Sequence, residues 1–325
     1  MESVHDDESM EIYMKAAVGV TPDRPILIDR FLHNALECEA DAISDGNDAF
    51  VPAVMEHIEL AGIHSGDSAC VIPTVMVTEE ALETLRDYTR RLARGLQTVG
   101  CLNVQYAMKD GVVYVIEATP RASRTVPYVS KATGVAGARV ACQIAAGRRL
   151  ADLNVPDEPR LQGHFVKEVV LPFIKFPGEP AMLGPEMRST GEVLGLADSY
   201  GMAFFKSQEA TLQPLPLKGT VLITVADPDK EAIVQVAQEF AQMGFKILST
   251  GGTCKYLLDK GVCVEPILKV HEGRPNIADA IKNHQIHLVI NTPIGKRGVV
   301  DDSYIRKLAI QYKLPYITTA AAAIA

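Results

Sequence analysis

Two oxygen-bearing side chains, Gln105 and Glu117, are candidate ligands for a metal ion. Each lies on one of two predicted strands, LNVQYAMK and VVYVIEAT, which Asp110-Gly111 joins as a two-residue hairpin. Both side chains can therefore project from one face of a sheet. Mg²⁺ prefers such oxygen ligands and keeps waters and phosphate oxygens in its other positions. Taken alone, the pair is better explained as polar residues on a solvent-facing strand.

Two arginines, Arg121 and Arg124, follow the second of these strands and favour a binding site. Their guanidinium groups can reach a carboxylate, a carbamate or a phosphate in bidentate fashion. A second dense polar patch is the loop 62–68, Gly-Ile-His-Ser-Gly-Asp-Ser. Its glycines permit close approach of the backbone to a ligand, although the same composition is typical of an ordinary turn.

Polar residues near the C-terminus gather where predicted strands end. Thr250-Gly251-Gly252-Thr253 lies between a strand and a helix and offers N–H and hydroxyl groups to a phosphate. Lys269 ends the next predicted strand, and Asn291-Thr292 ends the one after it. Ligands of open parallel sheets bind at the carboxyl ends of strands, so these three positions should converge on one phosphate pocket.

The elements that must position these residues differ between the two halves of the chain. In the first half, PILIDRFL and DAFVPAVMEHIEL are predicted strands, and TEEALETLRDYTRRLARGLQTVG is a predicted amphipathic helix with Thr78 as N-cap. The hairpin and a small-residue helix around 136–147 follow. We interpret 1–150 as one domain and the Pro- and Gly-rich stretch 151–217 as a connector.

Regular alternation of strands and helices begins at Gly219 and predicts a parallel, helix-covered sheet over 218–325. The predicted strands are TVLITVA, FKILST, VEPILKV, IHLVINTP and PYITT. The fold class is therefore α/β, with a mixed α+β first domain and a Rossmann-like second domain. A final helix is predicted to begin at Ala320, and we expect its remainder to lie outside this chain.

Composition limits the classes of function. The 325 residues are 47% hydrophobic and 22% charged, as in globular proteins, and the formal charge of −8 disfavours general binding to nucleic acid or membrane surfaces. No apolar run is long enough to span a bilayer, and the acidic N-terminus is unlike a signal peptide. Six cysteines without CxxC spacing are expected to be core thiols in the cytoplasm.

The order of the motifs resembles one family. MEHIELAGIHSGDSA, LNVQYAMKDGVVYVIEATPRASRTVPYVSKATGV, VKEVVLPFIKFPG and GPEMRSTGEVLG together resemble the C-terminal half of the carbamoyl phosphate synthetase large chain. STGGT, KVHEGRPNIADAIKN and INTPIGKRG resemble the methylglyoxal-synthase-like regulatory domain of that enzyme. The resemblance implies an ATP-grasp ligase half that phosphorylates carbamate with ATP, in pyrimidine and arginine biosynthesis, under allosteric control.

The resemblance also implies roles for individual residues. Gln105 and Glu117, with Thr119 as a further candidate, would bind Mg²⁺ or Mn²⁺, and Arg121 and Arg124 would hold carbamate and the transferring phosphoryl group. The ATP pocket would be lined by Arg30, Leu32, Glu37, Gly62, Ile63, His64, Ser65, Gln105 and Glu117. A potassium site would be formed by Glu37, His57 and Ser68.

For the second domain the resemblance implies two effector sites. A nucleotide such as UMP or IMP would be bound by Lys230, Thr250, Thr253, Lys269, Asn291 and Thr292. Ornithine would be bound by Glu59, Asp67, Glu168 and Thr318, for which interface hydrogen bonds are the alternative reading. Pro293 stands where some members have Thr. The implied partners are the glutamine amidotransferase small chain and the remaining N-terminal part of the large chain.

Two features depart from the family pattern. The family usually reads IEVNPR where this chain has Ile-Glu-Ala-Thr-Pro-Arg at 116–121, so Thr119 replaces an Asn that helps bind the second metal. We therefore expect weakened or altered metal affinity. The sequence also begins beyond the family's glycine-rich phosphate loop. We expect this polypeptide alone to have an incomplete ATP site and to bind better than it reacts.

Two rival functions follow from the same residues. A methylglyoxal synthase, a phosphate-eliminating lyase, needs a catalytic aspartate near the phosphate pocket, where this chain has Asn291-Thr292-Pro293-Ile294-Gly295. We therefore do not expect lyase activity. The other rival is a non-catalytic effector-binding module, which the expected gap in the ATP site would favour.

Overall fold

The computed structural model describes residues 4, 6–20, 25–156, 159–172, 183–184, 186–212, 214–292 and 304–325. This part of the chain contains an antiparallel seven-stranded sheet with the strand order β5-β4-β1-β2-β3-β6-β7. It also contains a parallel five-stranded sheet with the order β10-β9-β8-β11-β12. The predicted α/β class, with unlike halves, is confirmed.

The first sheet comprises β1 (Leu36–Asp45), β2 (Ala49–Leu60), β3 (Cys70–Ile72), β4 (Val99–Lys109), β5 (Val112–Thr119), β6 (His164–Val170) and β7 (Gly191–Ala197). The second comprises β8 (Thr220–Val225), β9 (Lys246–Ser249), β10 (Glu265–Pro266), β11 (Leu288–Thr292) and β12 (Tyr316–Ile317). The helices are α1 (Asp7–Val20), α2 (Glu79–Gly95), α3 (Val126–Thr133), α4 (Gly137–Ala145), α5 (Tyr200–Ala210), α6 (Lys230–Gln242), α7 (Gly251–Asp259), α8 (Ile277–Lys282), α9 (304–311) and α10 (Ala320–Ile324). None of the helices in the described ranges is both long and apolar enough to cross a bilayer.

Local sequence signals fixed the hairpin and α2 as predicted. Asp110 and Gly111 have φ values of +51° and +75°, the backbone that a tight two-residue turn between β4 and β5 requires. Thr78 caps α2, because its hydroxyl accepts a hydrogen bond from the N–H of Ala81. The apolar side of α2 packs on β1 and β4 through Leu85 and Ala93, which are fully buried.

One strand prediction in the first half is wrong, and the described elements α1, β1, β3 and α3 were not predicted. The run PILIDRFL forms no strand in the described residues 25–32. The central strand is instead β1, whose sequence LECEADAISD carries acidic residues at alternate positions. The helix α3 was not predicted either, since it is short and begins with Val126-Pro127.

The stretch 151–217 contributes two strands and a helix to the first half. The strand β6 pairs with β3, and β7 pairs with β6 as the edge of the sheet. The helix α5 packs against both strands through Ala203 and Phe204. Interpretation of this stretch as a connector stays a prediction, but its strands complete the first sheet.

The second sheet is covered by helices on both faces, as its parallel pattern predicted. Val221 and Ile223 face α6 and α7, whereas Leu222 faces α8 and α9. The prediction of a strand over VEPILKV is wrong in length, because β10 contains only Glu265 and Pro266. Lys269 therefore lies beyond β10, at a turn where its carbonyl accepts a hydrogen bond from the N–H of Glu272.

One hydrophobic cluster joins the two sheets. Ile58, Val71 and Val166 of the first sheet and Phe204 of α5 belong to the same buried cluster as Val221, Ile223 and Ile233 of the second half. Ala322 of α10 lies in this cluster too. The two halves therefore share part of their core instead of being joined only by a linker.

The close contact between β7 and α5 yields a stability prediction. A Cβ atom at Gly195 would lie 1.9 Å from the carbonyl oxygen of Ala203 and 2.7 Å from the backbone nitrogen of Ser207. Because backbone cannot move aside as a side chain can, we expect Gly195→Ala to destabilise the fold by about 3 kcal/mol. In the control Gly191→Ala the new Cβ would meet Val170 at 3.8 Å, an ordinary contact. Urea unfolding followed by circular dichroism compares the two, and equal midpoints would contradict this packing.

Candidate functional site

Six polar side chains form two rows across one face of the first sheet. Strand pairing places Glu39, Gln105 and Glu117 directly opposite one another on β1, β4 and β5. The next row consists of Asp41, Asn103 and Thr119 on the same strands. Directly opposed residues project from the same face. The predicted common face of Gln105 and Glu117 is therefore confirmed, and β1 adds acidic residues to it.

The donor set of this face fits a hard divalent cation. Gln105 donates its amide N–H to the hydroxyl of Ser65 at 2.8 Å, which leaves its amide oxygen for a cation. The hydroxyl of Thr119 donates a hydrogen bond to the carboxylate of Glu117. Amide and carboxylate oxygens at fixed separation are the ligands of Mg²⁺. Thr119 in this structure orients Glu117, so it need not be a ligand itself.

Arg124 joins the polar face to the loop 62–68. Its guanidinium donates to the carbonyl of Gly66 at 2.8 Å and to the hydroxyl of Ser189 at 3.1 Å, and its Nε lies 3.4 Å from a carboxylate oxygen of Glu192. These contacts fix the guanidinium before any ligand arrives. The side chain of Arg121 is exposed and donates to the carbonyl of Ala122 at 3.0 Å.

Asp41 ties the strand β1 to the segment that carries both arginines. Its carboxylate accepts hydrogen bonds from Ser123 and Thr125, each at 2.7 Å, and from the amide of Asn103 at 2.8 Å. Burial and the neighbouring Glu39 raise the pKa of Asp41 to about 6, although the three hydrogen bonds act in the opposite direction.

Glu37, Glu39 and His57 form a buried charged group at the side of the polar face, to which Glu39 itself belongs. The Nε2 of His57 lies 3.3 Å from Glu39, and its Nδ1 lies 3.8 Å from Glu37. Burial alone would lower the pKa of His57, but Cys70, Glu39 and Glu37 together raise it well above its usual value. Burial raises the pKa of Glu37 despite the opposing effect of His57. Glu37, His57 and Ser68 are all buried, and the potassium site that they would form stays a prediction.

A buried lysine supplies a second positive charge to this group. Lys167 on β6 is 1% exposed, and its Nζ lies 3.8 Å from Glu192, the residue that also contacts Arg124. Cys70 on β3 pairs with His57 on β2 and with Lys167 on β6. Its sulfur lies within 4.8 Å of the nearest carboxylate oxygen of Glu39 and ring nitrogen of His57. The two cationic side chains offset the buried carboxylates of β1.

The other predicted ATP contacts gather around the loop 62–65. Gly62 has φ +112°. A Cβ atom at Gly62 would lie 2.8 Å from the ring of Phe31, so this ring packs against the loop. Phe31 thereby brings its neighbours Arg30 and Leu32 close to the loop. The next residue, Ile63, is half-buried. His64 accepts the N–H of Gly66 on its Nδ1 at 3.0 Å. The structure therefore places these predicted residues next to the polar face, with Ser65 as the link.

In the second half, threonines from three strand ends meet around β8. Thr250 shares a hydrogen bond with Thr224 at 2.7 Å, Thr253 contacts Val225, and the hydroxyl of Thr292 accepts the N–H of Ala226 at 3.0 Å. Asn291 donates to the hydroxyl of Tyr316. Lys230 lies beside this edge, paired with Asp227. No described contact links Lys269 to these threonines; its N–H binds Glu272. Pro293 and Gly295 lie outside the described residues.

The four residues of the predicted ornithine site line one cavity of about 100 Å³ between the two halves: Glu59, Asp67, Glu168 and Thr318. The hydroxyl of Thr318 donates to Glu59 at 2.6 Å, and Gln208 donates to Glu168 at 2.6 Å. Asp67 accepts the N–H groups of Arg188 and Ser189. Burial, and to a lesser degree Glu59, raises the pKa of Glu168 to about 7.

Sequence reasoning missed Asp41, Asn103, Lys167, Ser189 and Glu192. The available signal was the period-two spacing of Glu37, Glu39 and Asp41, which places three acids on one face of a strand. Lys167 and Glu192 carried no local signal, because their significance depends on contacts between distant strands.

The raised pKa of Glu168 has a consequence for stability. The folded state keeps this carboxyl protonated up to about pH 7, whereas the unfolded chain releases the proton near 4.5, so Glu168 reduces stability as pH rises between these values. We expect Glu168→Gln to remove this part of the pH dependence, about 2 kcal/mol between pH 5 and pH 8. Urea titrations at both pH values measure it, with the exposed Glu209→Gln as control. Parallel pH profiles for the parent and Glu168→Gln would contradict the assignment.

Comparison with known proteins assigns both halves to families. Residues 1–153 match the family described as carbamoyl-phosphate synthase L chain, ATP binding domain, and residues 232–318 match the MGS-like domain. The carbamoyl phosphate synthase large chain of Archaeoglobus fulgidus is 50% identical over 100% of this chain, and that of Methanothrix thermoacetophila is 49% identical over 99%. The large chain of a Synechocystis strain is 50% identical over 99%.

The chain spans 30% of the length of each of these relatives. The resemblance predicted from the motifs is confirmed. The first 153 residues thus match the ATP-binding domain family of the carbamoyl-phosphate synthase large chain and residues 232–318 match the MGS-like domain family, and along its whole length the chain resembles the C-terminal part of that large chain.

Proposed function

We propose that the polar face of the first sheet is the metal-and-carbamate side of a phosphotransfer site, which converts carbamate to carbamoyl phosphate with ATP. The observation that carries this proposal is the direct pairing of Gln105 with Glu117, beside an Arg124 already held by the loop 62–68. Two oxygen ligands and a fixed cation within one face are what phosphoryl transfer requires of a protein, because charge must be neutralised while little covalent chemistry is needed.

In the proposed reaction a carbamate oxygen attacks the γ-phosphorus of ATP, and the bond to the β–γ bridging oxygen breaks with release of ADP. Gln105 and Glu117 would hold Mg²⁺, or Mn²⁺, which supplies charge neutralisation to the phosphates when it is bound. Arg124 would hold the transferring phosphoryl group in position. The exposed Arg121 is free of carboxylate contacts among the described residues and would orient carbamate.

Similarity to the relatives supports a wider setting for this site. The rest of a large chain would supply the other walls of the ATP pocket, and a glutamine amidotransferase small chain would supply ammonia. The product would serve pyrimidine and arginine biosynthesis. K⁺ would bind beside Glu37, where a monovalent cation would lower the cost of burying the carboxylate.

We further propose that the second half binds a nucleoside monophosphate such as UMP or IMP. Thr250, Thr253 and Thr292 line the shared carboxyl edge of β8, β9 and β11, and the N-terminus of α7 begins there. Helix N-termini and hydroxyl groups at this edge are suited to phosphate. Ornithine would bind in the cavity lined by Glu59 and Glu168, next to both sheets.

The second candidate function is effector binding without catalysis by this chain alone. It is favoured by the threonine hydroxyls, which are already fixed by hydrogen bonds within the second sheet. The two functions differ in one assay on the purified chain. Formation of ATP from ADP and carbamoyl phosphate would exclude the non-catalytic function, whereas a thermal shift with UMP or IMP and no ATP formation would support it.

Removing the metal ligand Glu117 tests the catalytic proposal. In an enzyme assembled from this chain and the complementary large-chain segment of a relative, we expect Glu117→Ala to lower the rate of ATP formation at least 100-fold. The reason is that Gln105 alone would not hold the metal ion that neutralises the phosphate charge. Glu80→Ala, on the exposed first turn of α2, serves as control. A Glu117→Ala enzyme with parental activity would refute the metal assignment.

Lys230→Ala tests the division between a catalytic and an effector-binding half, because Lys230 lies at the strand edge where the threonines meet. We expect this variant to keep basal ATP formation within about twofold, and to lose most of the thermal shift that UMP or IMP produces in the parent. At 100 times Kd, such a ligand stabilises the native state by about 2.7 kcal/mol. Lys282→Ala at the exposed end of α8 is the control. Loss of basal activity in Lys230→Ala would show that the division is wrong.

A further inference from the structure

Asp41 lies on the central strand of the first sheet, directly beneath the segment 121–125 that carries both arginines. It is 5% exposed, and its three hydrogen-bond donors include Ser123 and Thr125, which flank Arg124 on either side. The two hydroxyls also contact each other at 2.5 Å. One carboxylate therefore fixes the segment on both sides of Arg124.

The helix that follows this segment gives independent support. Thr125 occupies the N-cap position of α3, yet its hydroxyl caps no backbone N–H of the helix. The hydroxyl turns instead toward Asp41, so the helix forgoes a stabilising N-cap hydrogen bond. The body of α3 is held separately, because the hydroxyl of Tyr128 donates to the carbonyls of Phe165 and Cys70. The Asp41 contacts are therefore not needed to dock α3, and they determine the path of the chain that enters it.

We infer that Asp41 is a positioning residue for phosphoryl transfer, acting through Ser123 and Thr125 to place Arg121 and Arg124 over the metal-binding face. This inference rests on the proposed function of that face. Asp41 itself touches neither metal nor substrate. Asn103, which donates a hydrogen bond to Asp41, lies opposite it on β4, in the row next to Gln105. The Asp41 carboxylate therefore fixes the position of the arginines relative to the proposed metal ligands.

The expected effect of losing this contact is on the rate of the chemical step more than on binding. A displacement of about 1 Å in a group that contacts the reacting atoms lowers rates by up to about 100-fold. The predicted ATP contacts Glu37 on β1 and those in 30–32 and 62–65 lie outside the arginine segment 121–125, so the affinity for ADP should change little. Substituting a residue with only a structural role would lower the amount of folded enzyme. It would not lower kcat of the folded enzyme while leaving KM for ADP unchanged.

The test measures ATP formation from ADP and carbamoyl phosphate in the assembled enzyme. For Asp41→Asn we expect kcat to fall between about 10- and 100-fold, with KM for ADP within about twofold of the parent. Thr125→Val should behave similarly, whereas Thr125→Ser, which keeps the hydroxyl, should retain most of kcat. Since Asp41→Asn and Thr125→Val remove the same contact, their effects should not add in the double variant.

The matched control is Asp45→Asn on the same strand. The Asp45 carboxylate also accepts three hydrogen bonds, from the N–H groups of Asn47, Asp48 and Leu150, but it contacts no residue of the arginine segment. We expect Asp45→Asn to change the unfolding midpoint and leave kcat within about twofold. If Asp41→Asn does not fold, the Thr125→Val and Thr125→Ser pair decides the question.

Four results would overturn the inference. If the parent enzyme is active and the Glu117→Ala enzyme is inactive, the proposed function stands. In that case a kcat for Asp41→Asn within threefold of the parent value refutes only the positioning role of Asp41. A change confined to KM for ADP, or equal losses in Thr125→Val and Thr125→Ser, refutes it too. A parent enzyme that forms no ATP refutes the proposed function of the polar face, and the inference falls with it.

Discussion

The structure depends on the compensation of buried negative charge on β1. Glu37, Glu39 and Asp41 lie on one face of the central strand, and each is at most 6% exposed. A carboxylate in such a place must be paired or fully hydrogen-bonded, or the fold loses several kcal/mol. His57, Lys167 and Asn103 meet this requirement from three other strands. Because these partners have fixed positions, the residues beside them, Gln105 and Glu117, have fixed positions as well.

This compensation also explains which parts of the first half could be predicted from sequence. The hairpin and α2 were predicted because their signals are local: a turn dipeptide, an N-cap and an amphipathic repeat. The strand β1 was not, since acidic residues have low strand propensity and its partners lie far away in sequence. The hydrogen bonds from Ser123 and Thr125 to Asp41 span 82 and 84 residues. No spacing rule reaches that distance.

In the second half, the alternation of strands and helices was sufficient to predict the parallel sheet and the strand edge where the threonines meet. The error concerned Lys269, where β10 ends after two residues and a turn replaces the predicted strand. The cavity lined by Glu59, Asp67, Glu168 and Thr318 shows the opposite case. Those four residues are separated by up to 259 positions, and only the family resemblance, not any pattern in the residues, brought them together in advance.

The hydrophobic cluster shared by the two sheets limits how freely the halves can be recombined. Ile58, Val71 and Val166 present their side chains to a core that Val221 and Ile223 complete from the other half. An MGS-like domain exchanged with that of a relative would have to reproduce this complementary surface, or leave voids in the first sheet next to Glu59 and Ala69. If the second half binds an effector as proposed, evolution of a new effector specificity is expected to act on the open strand ends and to leave the shared face unchanged.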